Sequence, residues 1–234
     1  MTEREQTVSI QPIAHIRTGF SEKFGIPRQS GLVDAVKGRV VFLPAYRNPD
    51  ALRGLESFSH VWLIWHFTKA VRAEWSPTVR PPRLGGNTRM GVFATRSPFR
   101  PNNLGLSCVR LEEIDYDAPD GPVLLVSGVD MLDGTPVFDV KPYVPVADCR
   151  PDASEGYTAK TREHRLTVHI PPELSRDLSE EDRPALVGIL ENDPRPGYED
   201  DPNNEYGLTF QQYDVGFTVR GTDLHVFRLD IRTE

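Results

Sequence analysis

Three arginines and a run of amides and glycines crowd one short stretch of this chain, GGNTRMGVFATRSPFRPNNLGLS, from Gly85 to Ser107. Gly85, Gly86, Asn87, Arg89, Arg96, Arg100, Asn102 and Asn103 all offer hydrogen-bond donors, and no carboxylate interrupts them. Glycines leave backbone N–H groups open to a ligand oxygen, and guanidinium forks favour two-point contact with carboxylate or phosphate. The stretch reads as a cradle for an anionic, polar ligand; a Pro/Gly-rich structural turn is the alternative. A second pattern is FDVKPY, Phe138 to Tyr143. In an extended strand Asp139, Lys141 and Tyr143 share one face while Phe138 and Val140 share the other. An acid, an amine and a phenol at two-residue spacing suit proton handling, and an Asp–Lys pair on a solvated strand face is the other reading.

Such groups need rigid elements behind them. Short apolar or alternating runs occur at Ser9 to Ile16, Gly38 to Leu43, His60 to Phe67, Met90 to Thr95, Leu104 to Leu111, Val123 to Val129 and Pro136 to Tyr143. They are rich in Val, Ile, Leu and Phe and are bounded by Gly, Pro, Asn or Asp, which predicts strands. Asn48 to Ser57 reads as a helix, with Asn48 as N-cap and Pro49 in the first turn. Many short strands with few helices between them predict a mainly β protein, a small antiparallel barrel of non-Rossmann plan. After Tyr143 a polar connection, Pro145 to Thr161, precedes a second unit. That unit is predicted as a strand at His164 to Ile170, a helix within Glu173 to Leu190, and a hairpin of Tyr206 to Arg220 with Leu224 to Ile231 about Gly221-Thr222-Asp223. The division expected is a barrel over residues 1–150 and an α+β appendage over residues 151–234.

Composition narrows the classes. The 234 residues, 38% hydrophobic, hold no apolar run of bilayer-spanning length, and the polar start predicts a soluble cytoplasmic protein. Two distant cysteines, Cys108 and Cys149, suit neither a disulfide framework nor a zinc site and are expected to be inert buried thiols. The six histidines lack metal-ligand spacing, so no metal is expected; His60 and His66 read as core residues of a strand. The net charge of −7 argues against indiscriminate nucleic-acid binding. That average hides a gradient: Arg72 to Arg110 carries seven arginines against one acid, Glu74, whereas Leu178 to Glu205 carries nine acids against Arg183 and Arg195.

Neither a GxGxxG nor a GxxxxGK[ST] occurs, so any nucleotide-like ligand is held by another architecture. RMGVFATRSPFRPNNLGLS, LDGTPVFDVKPY at Leu132 to Tyr143 and DPRPGY at Asp193 to Tyr198 together resemble the TsaA/TrmO family of S-adenosylmethionine-dependent tRNA methyltransferases. FGIPRQSGLV, RGLESFSHVW and TVRPPRLGGN extend the resemblance over nearly the whole chain in the family's order. Asn103 stands where that family often has proline, which predicts a looser turn.

The resemblance implies a small β-barrel that binds S-adenosylmethionine, usually as a homodimer with the cofactor near the subunit interface. It implies methyl transfer to N6 of N6-threonylcarbamoyladenosine at position 37 of tRNA. By its motifs, the cofactor falls to Pro27, Arg28, Gln29, Thr68, Lys69, Arg96 and Leu106, and to the turn Asp130, Met131, Leu132, Asp133, Gly134 and Thr135. Asp139 is the expected base and Lys141 its electrostatic partner; Tyr206 is a further candidate for holding a proton. Arg83, Arg89 and Arg100, with Arg195 and Tyr198 of DPRPGY, are candidates for tRNA contact through phosphates and stacking. A cofactor-sensing module without turnover, and a methyltransferase acting on a protein or small metabolite, are the rival readings.

Overall fold

The computed structural model describes residues 8–84, 87–161, 165–195 and 201–232. In chain order the strands and helices are β1 (Ala14–Thr18), β2 (Lys37–Phe42), β3 (His60–His66), β4 (Thr78–Val79), β5 (Met90–Gly91), β6 (Leu104–Asp115), β7 (Val123–Ser127) and β8 (Thr135–Pro142). Then follow α1 (Pro145–Asp148), β9 (Thr167–His169), α2 (Arg183–Glu191), β10 (Tyr206–Phe210), β11 (Tyr213–Arg220) and β12 (Asp223–Ile231). Six strands close a barrel in the order β1-β2-β7-β6-β3-β8, with every pairing antiparallel. The chain is thus mainly β and not doubly wound, in line with the strand-rich sequence.

Period-two alternation decides which side chains fill the barrel. On β3, Val61, Leu63 and Trp65 are buried, whereas His60, Trp62, Ile64 and His66 are half-exposed on the outside. On β6 the inward row is Gly105, Ser107, Val109 and Leu111. Gly105 has a specific cause. Its paired residue across the ladder is Trp65, and a Cβ at position 105 would stand 2.2 Å from the indole.

A second sheet, ordered β10-β11-β12-β9, packs with α2 beside the barrel. Buried apolar residues run without interruption from one sheet to the other. The contact is made by the long β1–β2 connection: Phe20 meets Phe210 with ring centroids 5.3 Å apart, Phe24 lies 6.5 Å from Phe217, and Gln211 N–H donates to Gly19 O. Gly188 lets α2 settle on Val33, which a Cβ there would approach to 2.6 Å.

Several elements depart from the sequence expectation. Met90 to Thr95 is no full strand: two residues pair with β4, and Val92–Ala94 form a 3-10 turn with Val92 as a buried plug. Asn48 does cap, accepting from Asp50 N–H, but Gly54 at φ 87° splits the expected helix into two 3-10 turns. Leu174–Asp177 is likewise a 3-10 turn separate from α2. The expected hairpin gains β10 through a tight turn with Gln211 at φ 53°, and β12 adds β9 in parallel. Cys149 is exposed, against expectation, while Cys108 is half-buried and burial raises its thiol pKa. No helix among the described residues is long and apolar enough to cross a membrane.

Gly105→Ala should cost roughly 1–3 kcal/mol, because the indole must leave its place or the ladder must bend. A urea unfolding curve checks this, and a cost below about 0.5 kcal/mol would show that Trp65 relocates freely.

Candidate active site

One end of the barrel opens into a cavity of about 910 Å³. Such a volume suits a nucleoside-sized ligand. Its floor is the end of the β3–β6 ladder, Trp65, Phe67, Leu104, Gly105 and Leu106. One wall is the β1–β2 connection from Lys23 to Gln29, a second is the segment Asp130 to Thr135, and the roof is the loop Phe93 to Asn102. The barrel ladders hold the floor, whereas turns hold the roof. Thr95 Oγ donates to Val92 O, Arg100 donates to Thr95 O at 2.8 Å, and Phe67 N–H donates to Asn103 O at 2.9 Å. Asn103 tightens this turn where a looser one was expected, since its amide donates to Pro98 O at 2.6 Å and to Ala70 O at 3.4 Å.

A buried polar chain crosses the floor. Trp65 Nε1 donates to Ser107 Oγ at 2.9 Å, and Ser107 Oγ donates to Asp130 Oδ1 at 2.6 Å. Burial pushes the Asp130 carboxyl up to about 6, against the opposing pull of hydrogen bonds from Ser107 and backbone N–H groups and of the Arg96 charge. At neutral pH Asp130 is therefore a negative charge held in a mostly apolar cavity, a ready partner for a cation. Opposite it, Arg96 donates to Gln29 Oε1, and the Gln29 amide donates to Arg28 O. Arg28 in turn reaches the second unit, donating to Asp193 O at 3.2 Å and Arg195 O at 2.6 Å.

The cavity gathers Pro27, Arg28, Gln29, Thr68, Lys69, Arg96, Leu106, Asp130, Leu132 and Thr135. Met131, Asp133 and Gly134 do not line it. The extended segment alternates, so Met131 turns into the core with no exposed surface. Asp133 faces β1, where it accepts from Thr18 N–H at 3.0 Å and pairs with Arg17 at 3.4 Å. Gly134, at φ 72°, makes the turn into β8.

The proposed proton-handling residues are placed elsewhere. Asp139 and Lys141 pair at 2.9 Å on the outer face of β8, opposite Ile64 and Trp62 of β3, and neither lines the cavity. Tyr143 joins that face, against Trp62 and His60. Tyr206 is a core residue stacked on Phe217 at 5.5 Å, with the Arg195 guanidinium 5.9 Å from its ring. Arg195 is not available for RNA: it is buried in a two-point pair with Asp193, at 2.9 Å on each arm, and that carboxylate raises its pKa. Arg100 lines the cavity and Arg89 is exposed outside it. The backbone of Arg83 lies in a 3-10 turn, and Gly85, Gly86 and Tyr198 lie outside the described residues.

Sequence reasoning missed Trp65, Ser107 and His66. Trp65 and Ser107 lie in the inward rows of their strands; no motif singled out Trp65, and Ser107 entered only as the end of the donor-rich stretch. His66, expected in the core, is half-exposed at the cavity edge.

The fold and site define a non-Rossmann β-barrel protein with a nucleoside-sized cavity, positive on one wall and negative on another. Family comparison agrees with that class and refines it. The N-terminal domain of tRNA-methyltransferase O matches residues 15–149, and the TrmO C-terminal domain matches residues 163–232. The chain belongs to the tRNA-methyltransferase O family. It is 40% identical over 230 residues to the tRNA (adenine(37)-N6)-methyltransferase of Escherichia coli K12, covering 95% of this chain and 97% of that one. It is 42% identical over 226 residues to RcsF of Pseudomonas aeruginosa, covering 93% and 95%, whose given name proposes an S-adenosylmethionine-dependent methyltransferase. A crystal structure of TrmO from Pseudomonas aeruginosa superposes with a TM-score of 0.77 at 35% identity, covering 96% of this chain and 100% of that one.

Ionising Asp130 inside the folded protein costs about 3 kcal/mol more than in water. Since the folded state binds this proton more tightly than the unfolded chain, the cost grows as pH rises from about 4 to about 6, and stability falls with it. Asp130→Asn keeps an acceptor for Ser107 without the charge. Its urea midpoint should exceed that of the parent at pH 7.5, and the two should converge toward pH 4. A gap independent of pH would refute the buried-charge account.

Proposed function

We propose that this chain transfers a methyl group from S-adenosylmethionine to N6 of N6-threonylcarbamoyladenosine at position 37 of tRNA, in the cytoplasm and as a homodimer. The observation that carries the reading is the cavity, which has complements for the adenine, the carboxylate and the cationic centres of the cofactor, in a chain 40% identical to the E. coli enzyme over 95% of its length. Trp65, Phe67, Leu104 and Leu106 offer an apolar slot for the adenine. Arg96, which donates to Gln29 Oε1, suits the carboxylate, with Arg28 beside it in the cavity wall. Asp130 offers negative charge to the cationic centres, which offsets the cost of its burial. When bound, S-adenosylmethionine supplies a methyl group already activated on a sulfonium. The protein's task is then chiefly to position N6 in line with it and to exclude water.

N6 of the substrate is attached to a carbonyl, so its lone pair is delocalised and its proton must be taken up as the bond to carbon forms. We assign that step to Asp139, with Lys141 steadying the charge. In one chain the pair lies outside the cavity, on the outer face of β3, β6 and β8. That face also carries Leu104 and Leu106, which are 40% and 54% exposed and line the cavity mouth. That role therefore requires a second copy seated on this face, with its Asp139–Lys141 pair reaching its partner's cavity.

Incubation of the protein with methyl-labelled cofactor and bulk tRNA from a strain lacking this gene tests the reading. Label should appear in N6-threonylcarbamoyladenosine by nucleoside mass spectrometry. Tight cofactor binding without transfer would favour the sensor, and label in protein or metabolite the third reading. Asp139→Asn and Lys141→Ala should each lower turnover by about a hundredfold, within the usual contribution of an acid–base group. Near-normal turnover of both would remove the pair from the mechanism.

A further inference from the structure

Between His66 and Leu104 the described residues leave the barrel and form an arm over the cavity. The arm is held by the β4–β5 ribbon and by Val92 N–H donating to Pro77 O at 2.9 Å. This ribbon brings Trp75 beside Phe93, ring centroids 6.0 Å apart and planes 30° from parallel. Neither ring is covered: Trp75 is 51% exposed and Phe93 72%. Two large neighbouring aromatics left in water at a cavity mouth are the mark of a surface that binds something.

The charge around them says what. Arg100 holds its guanidinium 5.9 Å from the centre of the Phe93 ring, and Arg72 stacks on Phe99 at 3.7 Å. Among the described residues, no salt bridge involves Arg72, Arg80, Arg89, Arg96 or Arg100. Arginines free of carboxylates, interleaved with exposed aromatic rings, match single-stranded RNA, whose phosphates take the charge and whose unpaired bases stack. A base pair inside a helix has no free face to offer.

We propose that Trp75 and Phe93 form a stacking platform for the unpaired loop bases next to the methylated adenosine, with Arg72 and Arg100 steadying the rings and the adjoining phosphates. Phe93 and Arg100 also line the cavity, so a base stacked on Phe93 sits beside the one entering it. This rests on the tRNA reading above and names the residues that hold the loop. Trp75 and Phe93 are positioning residues: they grip the strand and take no part in bond making.

The test compares Trp75→Ala, Phe93→Ala and their conservative forms Trp75→Phe and Phe93→Tyr. It measures KM and kcat for bulk tRNA from a strain lacking this gene, tRNA binding by fluorescence quenching, cofactor binding by calorimetry and mass by sedimentation. Loss of one stacked base should weaken tRNA binding and raise its KM roughly fivefold to a hundredfold. Cofactor affinity of Trp75→Ala should move less than twofold, and Trp75→Phe should restore most of the loss. Unchanged tRNA binding in both alanine variants overturns the platform. So does a shift of the alanine variants to monomer, which would make the patch a contact with a second copy. Wild-type protein that binds tRNA through Trp75 but transfers no methyl group would sink the proposed activity and leave the platform standing.

Discussion

The indole of Trp65 lies flat against the backbone of Gly105, and the cavity depends on that contact. Only glycine fits it as it stands, because a Cβ there would come within 2.2 Å of the indole. Seated there, the indole closes the barrel floor and aims its N–H at Ser107, which aims its own hydroxyl at Asp130. A carboxylate is thereby fixed in a site whose burial it resists. The protein accepts a cost in stability in return for a preorganised negative charge at the cavity.

The second sheet supports this site from behind. Arg28 points its guanidinium at carbonyls of the segment before β10, and so anchors the cavity wall to a unit none of whose described residues line the cavity. The acidity of that unit is partly neutralised: Asp193 pairs with Arg195 within it, and Glu181 pairs with Lys37 of β2 in the barrel. The positive arm around Arg72 to Arg100 keeps its charge, because the neighbouring chain supplies almost no acids to cancel it.

Much of the barrel was legible in the sequence, since β2, β3, β6, β7 and β8 bury alternate or continuous apolar rows and tight turns bound them. Met90 to Thr95 misled because its apolar residues plug the arm without a long partner strand. Asn48 to Ser57 misled because a good N-cap says where a helix begins and not whether Gly54 will end it. In the cavity, most of the segments named from motifs come together. Alternation within a segment was harder to read: Asp133 has the same residue type as Asp130 three positions earlier, yet faces β1 and serves as a local clamp.

The sequence by itself determined the mainly β class, the absence of a dinucleotide-binding or phosphate loop, and the crowding of donors without acids between Asn87 and Asn103. Those follow from local rules, namely period, turn chemistry and charge count. Only the tertiary structure decided that Trp65, Ser107 and Asp130 form one chain, that Asp139 and Lys141 face outward, that Arg195 is spent on Asp193, and that Trp75 meets Phe93. All but the Asp193–Arg195 pair, which spans two residues, depend on which residues long loops and strand pairing bring within hydrogen-bond or van der Waals range, and such distances are set by the tertiary fold and not by any local stretch.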